Sequence, residues 1–300
     1  MSTTSQRADA GFHAGEIALQ RQAGVRHEAA RLAPMLEPAK LSGGVARFLA
    51  GQTFMAVTGR DATGRLWTSA LTGPPGFLDV RSGTELAVHT RIRPGDPLHG
   101  ISAGQKVGTT AVDFARRRRV RINGELTVAA GGLLLIDVEQ AFGNCPQHIH
   151  QRVLTPDGAD GLVASGAVRR GTSLEAADVA VIRAAGTFLL GTMHPERGAD
   201  ASHRGGPAGF VGVDDGGDLW WPDFPGNNLF NSLGNLAVSD EAALLFPGFD
   251  TGSTLQLSGT ARVEWGQAGR VVRFHPEQTV VQSLYQGAAG SHASVDRGLV

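Results

Sequence analysis

Ser202-His203-Arg204-Gly205-Gly206-Pro207-Ala208-Gly209-Phe210 puts an arginine on a glycine-bounded strand and follows it with a Pro/Gly turn. The turn has a near copy 133 positions earlier, Gly73-Pro74-Pro75-Gly76-Phe77 (73 to 206). The match extends outward from it. Ser69 answers Ser202, and Thr53-Phe54 answers Thr187-Phe188, each after a helical pattern and a glycine. Downstream, Val120-Arg121-Ile122-Asn123-Gly124 answers Leu255-Gln256-Leu257-Ser258-Gly259, a shift of 135 (120 to 255). Landmarks in one order at nearly one spacing predict a duplicated unit of about 80 to 90 residues and roughly six antiparallel strands, the size of a small closed barrel.

The rest of the chain fits that reading. With 42 glycines and 14 prolines in 300 residues, many turns and short strands are expected rather than long helices. Residues 53–58 form an apolar strand run, 61–64 a turn and 67–71 the returning strand. Residues 85–90 and 107–114 alternate across a pleat, and 133–138 make one more apolar strand. In 118–126, Val120 and Ile122 alternate with Arg119, Arg121 and Asn123. Period two therefore puts Arg119 and Arg121 on one face, and the Arg116 to Arg119 run reads either as a solvated turn or as contact with phosphate or an acidic partner. Residues 1–12 are polar and without period. Helical patterns occupy 15–32, interrupted by Gly24, and 45–50, closed by Gly51. Residues 155–171 read as a linker. Thr172-x-x-Glu175 then opens a helix through Ala185.

Composition excludes several functions. The formal net charge of −1 supplies no bulk attraction to nucleic acid or membrane. A single cysteine, Cys145, allows no intrachain disulfide and no thiolate metal cluster. The ten histidines form no spaced ligand set, so no metal is expected. The absence of an apolar span near 18 residues and of a signal-like N-terminus gives a cytoplasmic protein as the expectation.

Chemistry concentrates in residues 202–235. Arg204, amid glycines that let a ligand approach the backbone, reads as a phosphate anchor, with an ion pair to Asp200 or Asp223 as the alternative. In Leu219-Trp220-Trp221-Pro222-Asp223 the adjacent tryptophans face opposite ways; one belongs to a core and the other borders a flat ring, and Trp221 is assigned to the ring. Asn227 and Asn228 read as helix caps or ligand donors, and His203 as a polar histidine of default exposure.

These elements resemble a known family. The Ser-x-Arg strand, Gly209-Phe210-Val211, the aromatic strand, a short asparagine-rich helix, an apolar strand ending Leu245-Phe246, and Leu255-Gln256-Leu257-Ser258-Gly259 look like the FMN-binding split barrel of the pyridoxamine 5'-phosphate oxidase superfamily. The likeness covers about residues 45–140 and 180–265. Phe12-His13-x-Gly15-Glu16 and Phe142-Gly143-Asn144-Cys145-Pro146 resemble a branch with two tandem barrels.

The resemblance implies a mainly β chain with short helices. An N-terminal tail and helices would occupy 1–50, a first split barrel 51–154, a linker and helix 155–186, a second barrel 187–268 and a C-terminal tail 269–300. It implies FMN at the seam, with Ser202, His203, Arg204 and Gly205 on the phosphate strand, Trp221, Pro222 and Asp223 bordering the ligand, and Asn227, Asn228 and Asn231 at the short helix. Asparagines stand where the family carries a lysine, which moves phosphate neutralisation onto Arg204 or onto Arg119 and Arg121. The implied activity is an FMN-dependent oxidoreductase acting on a small molecule, with NAD(P)H or a reductase as electron donor and no catalytic residue assigned. A homodimer stays open. The alternative is a non-catalytic split barrel that holds flavin, deazaflavin or haem.

Overall fold

A computed structural model of the chain describes residues 11–36, 41, 43–143, 147–151, 167–226, 228–249, 253–267 and 269–282. Asn144, Cys145, Pro146, Asn227, residues 152–154 and residues 155–166 of the expected linker lie outside them. Two antiparallel sheets dominate. The first contains β1 (Phe54–Arg60), β2 (Leu66–Thr72), β3 (Leu78–Ser82), β4 (Glu85–His89), β5 (Gln105–Asp113), β6 (Arg118–Ala130) and β7 (Leu133–Gly143), in the order β2-β1-β5-β6-β7-β4-β3. After β8 (Val168–Gly171), the second contains β9 (Thr187–His194), β10 (Gly198–Gly205), β11 (Gly212–Val213), β12 (Leu219–Pro222), β13 (Glu241–Gly248), β14 (Ser253–Gly266) and β15 (Gly269–Gln282). Its order is β10-β9-β13-β14-β15-β12-β11, with β8 paired to β15. Strand for strand the two orders are the same, with seven strands in each rather than six.

The repeated sequence landmarks occupy equivalent places. After β2 and after β10, the phenylalanine N–H donates to the proline carbonyl 3.0 Å away, Phe77 to Pro74 and Phe210 to Pro207. The preceding glycine has a positive φ in both turns, +94° at Gly76 and +84° at Gly209, where a side chain would be strained. Gly124 and Gly259 both sit at bulges, and a Cβ there would strike the carbonyl of Asp137 or of His275. One correspondence shifts by a residue. Phe54 pairs with Thr72 and Thr187 with Gly205, so Phe54 corresponds to Thr187, and Met55 to Phe188. A one-residue slip exchanges the faces of a strand. Met55 and Phe188 each enter their own barrel core, whereas Phe54 joins Ala56, Phe114, Leu189 and Leu245 between the barrels.

Two boundaries also change. Residues 269–282, expected in a C-terminal tail, are the long strand β15, bonded to β14, β12 and β8. The linker helix α4 spans Ala176–Ala184, and its capping box is Glu175 with Asp178, not Thr172 with Glu175. The Asp178 carboxylate accepts from the Glu175 N–H and pairs with Arg169, which fixes the helix start one turn later. No helix among the described residues is long and apolar enough to cross a membrane.

The N-terminal helices α1 (Ala14–Gln22) and α2 (Arg26–Leu32) break at Gly24, whose φ is +71°. Helix α1 crosses the short helix α5 (Asn231–Leu236) at a pair of glycines. A Cβ on Gly15 would fall inside contact distance of the Gly234 carbonyl oxygen, and one on Gly234 would lie 2.5 Å from Glu16 Cγ. Backbone cannot yield there as a side-chain tip could. Gly15→Ala should therefore cost about 1–3 kcal/mol in urea unfolding. Gly44→Ala, in the helix α3 (Gly44–Ala50) with open space at its Cβ, should cost nothing. Equal stabilities for the two variants would contradict the crossing.

Candidate functional site

The sheets pack back to back, β5 against β10 and β13 against β2, and a cleft opens at one end of the seam. Four arginines line it. Arg119 and Arg121 come from β6 of the first barrel, Arg204 from β10 and Arg270 from β15 of the second. The common face expected for Arg119 and Arg121 is what carries both across the seam: Arg119 reaches His203, and Arg121 reaches Asp200. The remainder of the arginine run does not follow. Arg116 and Arg117 are exposed in the turn, and Arg118 lies over the Phe48 ring, 5.4 Å from its centroid.

Each arginine has a partner. Asp223 accepts from Arg204 Nη1 and from Arg270 Nε, both at 2.9 Å, so the ion pair named as the alternative for Arg204 is present. Asp200 accepts from Arg121 Nη1 at 3.1 Å, from Asn123 Nδ2 at 3.2 Å and from the Ser232 hydroxyl at 2.6 Å. Ser202 and Ser232 lie 2.9 Å apart, oxygen to oxygen. Among the described residues, four guanidiniums thus meet two carboxylates around the cleft. Nε of Arg121, Nε of Arg204 and the indole Nε1 of Trp221 are buried without hydrogen-bond partners. Such unsatisfied donors each cost about 1–3 kcal/mol.

His203 is buried, contrary to the default exposure expected for it. Arg119 Nη1 lies 2.9 Å from its Nδ1, and since arginine only donates, that nitrogen carries no proton. Burial, reinforced by Arg119 and Arg204, pushes the imidazole well below its ordinary range. It is neutral at pH 7, with its proton on Nε2 facing the Thr187 hydroxyl at 3.4 Å.

Trp221 lines the cleft and is also only 1% exposed, part of the second barrel's core; the supposed choice between core and ligand wall does not arise. Trp220 points outward over Gly212. The aromatic wall continues through Phe224, on which His148 stacks with ring centroids 4.9 Å apart and planes 17° off parallel. His148, Asn228 and Phe230 all line the cleft, and all have a positive φ (62°, 60° and 65°). Arg117 is the one other non-glycine residue of this kind among those described. Left-handed backbone costs a side-chain-bearing residue of order 1 kcal/mol, and three of these residues gather around this one cleft. Asn228 and Asn231 do not cap α5, whose N-cap is Phe230; Asn231 instead donates to Glu16 at 2.7 Å. Pro222 and Gly205 also line the cleft. Sequence reasoning missed Arg270, Phe224 and Phe230 as site residues. The alternation of Val272 and Phe274 with Arg273 and His275 is the signal that could have exposed β15.

Glu16 lies behind this cleft, on α1, lining a second polar cleft that shares Asn231 with the first. Burial pushes its carboxyl up to about 7, although the His13 N–H and the Asn231 amide favour its charged form. Burial first, and His194 next, push His13 down to about 4. For Glu16 the folded state binds the extra proton, so its contribution to stability is complete below about pH 4.5 and is lost as the pH rises to about 7. Glu16→Gln removes that loss. Relative to the wild type, the variant should gain stability, by up to about 3 kcal/mol, between pH 4.5 and 7 in urea unfolding. A difference independent of pH would contradict it.

No protein-family model and no curated protein matches the sequence. Solved structures similar to this chain include the FAD binding protein from Mycobacterium smegmatis, at 14% identity over 39% of this chain and 98% of that one, with a TM-score of 0.28. A putative pyridoxamine 5'-phosphate oxidase from Corynebacterium glutamicum is 12% identical over 42% and 100%, TM-score 0.30. A protein related to general stress protein 26, of the pyridoxinephosphate oxidase family, from Clostridium acetobutylicum is 11% identical over 35% and 86%, TM-score 0.25.

Proposed function

We propose that this chain is an FMN-binding split-barrel protein of the pyridoxamine 5'-phosphate oxidase-like kind, with two tandem barrels, and that it acts as a flavin-dependent oxidoreductase on a small molecule. The observation that carries the reading is the convergence of four arginines from both barrels on one cleft. A phosphate monoester brings a charge of about −1.5 to −2 and strong acceptor oxygens, which suits the arginine cluster and the unpartnered Nε groups of Arg121 and Arg204. The motif resemblance points the same way.

Arg119, Arg121, Arg204 and Arg270 would hold the phosphate, with Ser202 and Ser232 as hydroxyl partners. Trp221 and the Phe224–His148 stack would wall the flat ring. Bound FMN supplies the electron or hydride chemistry, and the chain supplies binding, orientation and electrostatics. Neutral His203 accepts from Arg119 and orients it without adding a positive charge that would repel the guanidinium. The backbone around Asn228 and Phe230 is held in shape before the ligand arrives, which lowers the ordering cost of binding.

The purified protein should take up FMN, visible as a flavin absorption spectrum, and NAD(P)H or a reductase should bleach it. Arg204→Ala should weaken FMN binding at least about tenfold, as expected for loss of a charge-assisted contact. Arg65→Ala, removing a remote ion pair with Glu277, should leave it unchanged. A protein that takes up no FMN contradicts the proposal, and a flavin that no donor reduces contradicts the oxidoreductase part of it.

A further inference from the structure

The identical strand orders give the arginine cleft a counterpart at the other end of the seam. Ser69 stands four residues before the turn glycine Gly73, as Ser202 stands four before Gly206. Gln256 stands three before the bulge glycine Gly259, as Arg121 stands three before Gly124. Like Arg121, Gln256 reaches across to the opposite barrel: its Nε2 donates to the Thr68 carbonyl at 3.1 Å. The charges, however, are gone. Leu71 corresponds to Arg204, Gln256 to Arg121 and Thr254 to Arg119.

A carboxyl group of the chain itself occupies this position. Asp96, in the connection between β4 and β5, is buried at 8% exposure. Its Oδ1 accepts from the Ser69 hydroxyl at 2.5 Å and from the Leu98 N–H at 2.8 Å, and its Oδ2 accepts from Gln256 Nε2 at 3.2 Å. In the second barrel the corresponding connection, between β12 and β13, instead carries α5 and leaves its serine beside the open cleft.

We infer that the second seam end is a self-occupied counterpart of the cleft, in which the Asp96 carboxyl takes the place of an external anion, so that each chain offers one flavin site. The single-site part rests on the flavin reading; the occupation by Asp96 does not. The Asp96 carboxyl satisfies Ser69, the Leu98 N–H and Gln256 together, and Leu71 in place of an arginine offers a doubly charged phosphate no partner.

Asp96→Ala deletes a group the size of formate and leaves its donors in place. The variant should melt about 5 °C or more below the wild type, as loss of two or three buried hydrogen bonds implies. Sodium formate should restore more of that loss than sodium chloride at equal ionic strength, and the wild type should show no such preference. Folding of the variant only when formate is present would support the same conclusion; no preference for formate would overturn it. If Asp96→Ala does not fold under either condition, Asp96→Asn decides: its amide opposes the same donors, so a lowered melting temperature supports the assignment and an unchanged one overturns it. Titration of the wild type with FMN should end at one equivalent per chain, and two equivalents would overturn the single site. Formate rescue without any FMN uptake would refute the flavin reading and leave the role of Asp96 standing.

Discussion

Where β5 passes β10, a Cβ on Gly108 would lie only 2.5 Å from the Asp200 Cα, and this close approach of two backbones sets how near the barrels come. Gly191 repeats the condition on β9, where a Cβ would sit 2.6 Å from the Thr58 hydroxyl. Because the strands meet this closely, Arg121 can cross the seam and pair with Asp200, and Arg119 can reach His203. A buried arginine and aspartate are costly to desolvate. Here Asn123 and Ser232 also donate to Asp200, satisfying the carboxylate from both barrels. The cleft is consequently a property of the pair of barrels, not of either one.

The N-terminal helices add a further constraint. Through the Gly15–Gly234 crossing, α1 presses on α5, and Gln20 Nε2 donates to the Leu229 carbonyl at 3.0 Å. Leu229 sits between Asn228 and Phe230, the two left-handed residues on that side of the cleft. Strained backbone persists only where its surroundings over-determine it. The helix that precedes both barrels in sequence thus helps hold the wall of a cleft that the second barrel carries.

Much of the architecture is legible in the sequence because it follows from local rules. The Pro/Gly turns require glycine at a positive φ, and period two alone puts Arg119 and Arg121 on one face. What was not legible is non-local or masked by chemistry. Strand β15 contains Pro276, which argues against a long central strand, yet the proline is accommodated beside the Ser258/Gly259 bulge. Arg270 was lost with that strand. The one-residue slip at Phe54 arose because Thr-Phe recurs by composition while the pairing register is set across the sheet. The burial of His203 depends on the first barrel's Phe114, whose ring lies 5.9 Å away, a contact that local sequence does not encode.

The claim that both barrels build one anion site is tested most directly through Arg119, the arginine that the first barrel contributes to a histidine of the second. FMN fluorescence quenching, titrated with the wild type and with Arg119→Ala, measures its share. Binding should be at least about tenfold weaker in the variant, with the melting temperature little changed. FMN affinity equal to that of the wild type would show that the second barrel holds the ligand alone, and would contradict a site shared by both barrels.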